Sequence, residues 1–225
     1  MAPRISLLLV ASLCSVLDDQ GRIFASQWDN LWYEPPPKVP LKPYAETKSI
    51  LSKYQDAWKF ITRNRTMFLY QRSYKHDRMY GKNGQCVKAE VIYIDRRTKT
   101  ATVQLSSANH KKREITQFVA YFTANRTRGY DVYNVLYARY ELDSDDPGYH
   151  YPMIFSDYKT CGILRIPHYE KPGKPACQVW AYEGQTIRSS CMFIYDLLCG
   201  PSRYAVYGKA KCHYETSHDV IIEED

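Results

Sequence analysis

The sequence predicts an all-β protein: an eight-stranded antiparallel up-and-down barrel with an N-terminal helix and a short C-terminal helix. Three observations predict it. Beyond the first 65 residues, apolar side chains recur with period two over eight short segments. Turn signals of hairpin length separate those segments. Tyrosine is abundant, 21 of 225 residues, and tyrosine suits half-buried pleated surfaces and the wall of a mixed polar and apolar pocket. Closing eight strands on themselves removes free edges and leaves an interior wide enough for side chains or one small ligand.

In chain order, Arg4 and the apolar run Ile5–Val16 read as a secretory leader over residues 1–25, ending at Ala25. The run is shorter than the roughly 18 residues a membrane helix needs. Residues 26–46 form a Pro-rich arm, with Trp28, Trp32 and Tyr33 ahead of Pro35-Pro36-Pro37, Pro40 and Pro43, a spacing that favours extended polyproline over helix. The barrel with its flanking helices is expected over 47–212. Helix Thr47–Ile61 opens it, capped by Thr47, with Ile50, Leu51, Tyr54, Ala57, Trp58 and Ile61 on one stripe. The expected strands are Thr66–Tyr74, Cys86–Asp95, Thr100–Ser107, Glu114–Thr123, Tyr130–Leu142, Tyr151–Asp157, Gly162–Pro167 and Cys177–Tyr182. The second shows the cleanest alternation: Val87, Ala89, Val91 and Tyr93 share a face, and Lys88 and Glu90 take the other. Asn83-Gly84, Asp145–Gly148 and Lys171–Pro175 supply turns. Cys191–Leu198 is the short C-terminal helix, capped by Ser189 or Ser190 and stopped by Gly200-Pro201. An acidic tail, 213–225, closes the chain.

The net charge of +7 raises the prospect of anionic partners, but the basic residues are scattered and no tract of five or six like charges occurs. A basic soluble surface is the better reading, and no nucleic-acid partner is expected. The six histidines show no zinc spacing, and no nucleophile elbow or phosphate loop is present. Neither catalysis, metal nor cofactor is expected. Removing Cys14 with the leader leaves six cysteines, an even number that implies disulfides in a secreted chain, with about 15 ways to pair them. Asn64 and Asn125 open N-x-Thr sequons and are the glycosylation candidates.

A set of short motifs then carries a family resemblance over about Tyr54 to Cys212. Gln55-Asp56-Ala57-Trp58-Lys59 precedes the first strand, and Ser73-Tyr74-Lys75-His76-Asp77 ends it. Gly81 and Cys86 open the second, and Phe155-Ser156-Asp157-Tyr158-Lys159-Thr160-Cys161 leads to the later cysteines. In order, spacing and cysteines the chain resembles the tick salivary lipocalins, the histamine-binding-protein family. The resemblance implies a secreted barrel that sequesters host mediators: histamine, serotonin, leukotrienes, fatty acids or cholesterol in different members, with some members acting on complement or immune cells. It implies the disulfides Cys86–Cys212 and Cys161–Cys191, which leave Cys177 and Cys199 for a third bridge. It also marks Asp77 and Tyr80 as positions of an amine-site acid and aromatic.

The chain departs from the amine-binding members at two positions. Gly162 stands where they carry an Asp, and Gln178-Val179-Trp180 where they carry Glu-Leu and an aromatic. A buried amine needs carboxylates, so these departures favour a more neutral cavity and a lipid-like ligand such as a sterol, fatty acid or leukotriene. The candidate ligand-contacting residues are Trp58, Tyr70, Tyr74, Asp77, Tyr80, Tyr93, Tyr151, Gln178 and Trp180. Trp58 is read first as packing that closes one barrel end and second as the floor a ligand touches. The expected product is a secreted monomer that blunts host defence. The competing readings are a biogenic-amine scavenger and a protein-directed immunomodulator that uses its loops and arm on a host immune protein or cell.

Overall fold

The computed structural model of the chain describes residues 44–63, 66–80, 84–109, 114–140, 148–208 and 212. The leader, the arm before Tyr44, Asn64 and the acidic tail lie outside the described residues.

The described chain opens with two 3-10 turns, Ala45–Thr47 and Ser49–Tyr54, followed by helix α1, Ala57–Arg63. The single helix expected over Thr47–Ile61 is therefore interrupted. The cause is competition for backbone groups. The Asp56 N–H donates to the Tyr158 hydroxyl at 2.8 Å, and the Ala57 and Trp58 N–H groups both donate to the Tyr133 carbonyl. Gln55, fully buried, donates to the carbonyls of Ala45 and Ile154 and accepts from the Tyr130 hydroxyl. Distant loops thus take the donors that would have continued the preceding turn. Asp56, not Thr47, caps α1: its Oδ1 accepts the Lys59 N–H at 2.9 Å. The stripe splits accordingly. Ala57, Trp58, Phe60 and Ile61 are buried, whereas Ile50 is 87% exposed.

Eight strands follow: β1 Thr66–Arg72, β2 Gln85–Asp95, β3 Thr100–Asn109, β4 Glu114–Asn125, β5 Val135–Tyr140, β6 Tyr149–Ser156, β7 Cys161–Arg165 and β8 Cys177–Tyr182. Each pairs antiparallel with the next, β8 pairs with β1, and β1 pairs with β2, so the sheet closes into a barrel. Helix α2, Ser189–Cys199, then packs on the outside, and a two-residue strand β9, Tyr204–Ala205, adds to β1 at Gln71 and Arg72. β9 is too short to leave a periodic signal. α2 begins after Arg188 without a side-chain cap, and Gly200 ends it at a φ of 78°, which favours glycine. β5 is shorter than expected because the chain before it is spent on side-chain bonds: Asn134 Oδ1 accepts the Thr127 N–H at 2.9 Å, and the Tyr130 hydroxyl reaches Glu46 and Gln55.

β7 and β8 are buried on both faces, which explains their unbroken apolar reading. Inward, they join the barrel core; outward, Cys161, Ile163, Cys177 and Val179 meet Cys191, Tyr195 and Cys199 of α2 in a second core. Two disulfides cross it, Cys161–Cys191 and Cys177–Cys199, and Cys86–Cys212 ties β2 to the C-terminal segment. These are the pairs the resemblance implied. Arg165 lies buried beside this core, ion-paired to Glu46 at 2.5 Å, with its guanidinium 4.4 Å from the Tyr44 ring centre. That pair fastens the entering chain to the barrel wall. No helix among the described residues is long and apolar enough to cross a membrane.

Candidate functional site

Antiparallel pairing puts α1 and the β2–β3, β4–β5 and β6–β7 turns at one barrel end. The ends of β1, β5 and β7 and the starts of β2, β6 and β8 lie at the other. Trp58 closes the α1 end. Its ring is buried in the core, and Lys99 Nζ lies 5.5 Å from the ring centre. Trp58 does not line the cavity. Its place in the core is that of the packing reading.

Between the ends lies a cavity of about 440 Å³ of unfilled space, counting the part open to solvent. Its wall is mainly apolar: Phe60 and Ile61 from α1, Met67 from β1, Leu105 from β3, Leu136 from β5 and Leu164 from β7. Polar atoms enter from Tyr80, Tyr140, Tyr151, Gln178 and Trp180. The alternation of β8 explains two of these: Gln178 and Trp180 face in because Cys177 and Val179 face α2.

Gln178 is the hub of a hydrogen-bonded cluster. Its Nε2 donates to the Tyr74 hydroxyl at 2.5 Å and lies 3.2 Å from Asp77 Oδ2, while its Oε1 accepts the Trp180 indole N–H at 3.0 Å. Asp77 is 1% exposed. Its Oδ2 also accepts from the Tyr74 hydroxyl at 2.7 Å; its Oδ1 accepts the Met79 N–H at 3.0 Å and the Tyr169 hydroxyl at 3.3 Å. Arg72 Nη1 approaches to 3.7 Å. The Tyr74 and Tyr169 rings stack at 4.6 Å. Nearer the core, the Tyr140 and Tyr151 hydroxyls share a hydrogen bond of 2.6 Å. Burial pushes the phenols of Tyr74, Tyr80 and Tyr151 well above the ordinary 10.0, and neighbouring Asp77 adds to the rise. They therefore stand as neutral hydroxyls.

Of the residues singled out from sequence, Tyr80, Tyr151, Gln178 and Trp180 line the cavity, and Tyr74 and Asp77 adjoin it through Gln178. Tyr70 and Tyr93 do not, and the expectation for both is corrected. Tyr93 is 62% exposed and Tyr70 38%. Each sits at a bulge. The register against β3 steps from Val91 to Tyr93 while its partner advances by one, and against β8 it steps from Leu69 to Gln71 in the same way. At Tyr93 the extra residue inverts the in–out alternation, so the ring turns outward and Ile94 packs on the core instead; Tyr70 follows the inward-facing Leu69 and so faces out, and the extra residue there brings Arg72 inward. Sequence reasoning missed Tyr140, Phe60 and Arg72. Tyr140 falls on the buried parity of β5; the other two carried no signal short of the closed barrel.

Gly162 gains a structural explanation. It pairs with Trp180 and faces inward, and a Cβ built on it would lie 2.3 Å from Cε2 of Phe60. The Phe60 ring thus fills the space that a side chain at 162 would need. Among the described residues, the group with metal-ligand spacing is Asp157, Cys161 and Cys191. The two cysteines are joined in a disulfide, so neither offers a thiolate.

The family model described as tick histamine binding protein matches residues 45–214, most of the chain. The chain belongs to the tick histamine-binding family. Over 149 residues it is 24% identical to the male-specific histamine-binding salivary protein of Rhipicephalus appendiculatus, spanning 64% of this chain and 72% of that relative. Among solved structures, AM182 in its serotonin complex matches with a TM-score of 0.50 at 12% identity, over 70% of this chain and 92% of the other. Lobster apocrustacyanin A1 matches with a TM-score of 0.48 at 11% identity, over 72% and 88%. Membership of the histamine-binding family makes a small-ligand-binding barrel the established frame for the cavity.

Proposed function

We propose that this member of the family is a secreted scavenger of a lipid-like ligand, which it removes at the bite to blunt host inflammation and immunity. The observation that carries the reading is the Phe60 ring seated against Gly162. Where the resemblance places a carboxylate for an amine, this barrel has an aromatic wall. Three further features support it. The cavity is mainly apolar, and Gln178 stands where the other amine-site acid would be. Asp77, the remaining acid, already accepts four hydrogen bonds, so a buried ammonium would find its oxygens engaged. The hydroxyls of Tyr80, Tyr140 and Tyr151 suit a ligand hydroxyl or carboxylate. The exposed Asn125 is the described sequon that would carry a glycan.

The second reading, an amine scavenger, draws on Asp77 beside the stacked Tyr74 and Tyr169 rings, and on the histamine- and serotonin-binding relatives. Native mass spectrometry of protein secreted from a eukaryotic host separates the two. The lipid reading expects one hydrophobic molecule per chain, recovered by organic extraction. A cavity that arrives empty and takes up neither sterol, fatty acid nor leukotriene would overturn it.

A further inference from the structure

Cations that lie scattered along the sequence are gathered by the fold. The β2–β3 turn carries Arg96, Arg97 and Lys99, and the β4–β5 loop carries Arg126 and Arg128. Both belong to the α1 end of the barrel. Tyr133 joins the two groups: Lys99 Nζ lies 5.6 Å from its ring centre and the Arg126 guanidinium 5.0 Å. The Tyr133 carbonyl also accepts the Ala57 and Trp58 N–H groups, so these cations stand on the closed end of the barrel. The four arginines are exposed, and Lys99 is half-buried beside Trp58. None of the five forms an ion pair among the described residues, where the ion pairs lie elsewhere. Asp95, the acid of the first turn, spends its Oδ1 on the Arg97 and Thr98 N–H groups at 2.8 and 3.2 Å. The β4–β5 loop holds a single acid, the exposed Asp131. Like charges held side by side with so little counter-charge make a field that attracts anions. On the outer sheet face next to the turns, Tyr93 and Tyr121 flank Thr102, and both rings are exposed.

We propose that this end of the barrel binds a sulfated polysaccharide. Sulfates, like phosphates, offer the oxygens that a guanidinium engages with its planar fork, and four of the five cations are arginines. Tyr93 and Tyr121 present amphipathic rings on which sugar rings can lie. A bilayer is the poorer match, because neither Arg96–Lys99 nor Arg126–Gly129 holds an apolar side chain to insert. The site lies at the barrel end opposite the Asp77 cluster, so a chain anchored there keeps that cluster clear. The proposal does not depend on which ligand the cavity takes. It gives a secreted barrel a means of staying in the extracellular matrix where it is released.

The test is surface plasmon resonance of the full chain on immobilised heparin, beside desulfated heparin, duplex DNA and phosphatidylserine vesicles. The chain is assayed as secreted and as Asn125→Gln, because a glycan on Asn125 would adjoin Arg126. Saturable binding to heparin is expected, weakening at least ~10-fold between about 50 and 200 mM salt as released counterions lose their advantage. Arg96→Gln, Arg97→Gln and Arg126→Gln together should weaken it at least ~10-fold, whereas Lys75→Gln, Lys171→Gln and Lys174→Gln, which remove the same charge at the opposite end, should cost no more than ~2-fold. Should the arginine variant fail to fold, shielding of Arg96 and Arg97 by heparin from phenylglyoxal in the wild-type chain reads the same face. Equal losses in the two variants, or arginines left unshielded, overturn the assignment of the site. Equal binding to desulfated heparin, or tighter binding to DNA or to the vesicles, overturns the ligand class. Absence of heparin binding in both glycan forms overturns the proposal outright.

Discussion

A methyl group at position 162 sets the packing of the cavity wall against itself. In Gly162→Ala the new Cβ would lie 2.3, 2.6 and 2.7 Å from three ring carbons of Phe60. Carbon atoms rest at about 3.5–4.0 Å, so the ring must withdraw by about 1 Å or more. One side is closed, because its ring lies 5.4 Å from that of Tyr182, so the ring can withdraw only toward the cavity that it lines. Overpacking of this kind costs about 1–3 kcal/mol. Phe60→Ala alone opens a hole worth about 3–5 kcal/mol. In the double substitution the clash is gone and the methyl partly fills the hole, so the combined cost should fall short of the sum by about 1–3 kcal/mol. Equilibrium unfolding in guanidinium, with the disulfides oxidised and equal denaturant slopes checked, measures each corner of the cycle. Additivity within about 0.5 kcal/mol would refute the reasoning, because it would mean that the ring does not occupy the space beside Gly162.

Other consequences follow from the same geometry. Tyr93→Ser, at an exposed bulge site, should shift stability by no more than about 0.5 kcal/mol and leave ligand affinity unchanged; a large loss of affinity would return Tyr93 to the site. Replacing Cys86 and Cys212 by Ala opens a closure of 126 residues and should cost about 4–5 kcal/mol, more than the roughly 3 kcal/mol expected for Cys177–Cys199 with its separation of 22, as unfolding midpoints would show. Alkaline pH should unfold the protein. Burial pushes the phenols of Tyr158 and Tyr169 up to about 12, so above pH 10 the unfolded chain releases protons that the folded chain keeps. Their stabilisation is complete below pH 10 and is lost between about pH 10 and 12, at up to about 1.4 kcal/mol per unit for each group. A stability curve flat across that window, or tyrosinate absorbance rising before unfolding, would contradict the burial of these rings.

The barrel itself was legible because period-two patterning and hairpin turns are local signals. All eight strands lie where alternation places them, β8 with the same ends. The cavity was legible only in part. Gln178 and Trp180 could be read because β8 alternates without interruption. Tyr93 and Arg72 could not, because a bulge leaves no mark on a single strand: it exists in the register with a partner. The entry helix failed for a related reason. Its apolar spacing is helical, but the hydroxyl of Tyr158 and the carbonyl of Tyr133, far along the chain, claim its backbone donors. Gly162 drew notice as a departure from the amine binders; that Phe60 fills its place required the closed barrel. Arg72 looked like one more scattered base until its partners, and the lack of them on Nε and Nη1, were seen.

The central claim is that this cavity takes an acidic or neutral lipid and not a histamine-like amine. Calorimetric titration of the delipidated, disulfide-intact protein with oleic acid and, in parallel, histamine tests it most directly. The account predicts saturable binding of one oleate per chain and no heat of binding with histamine. Tight one-to-one histamine binding with no uptake of oleate would contradict it.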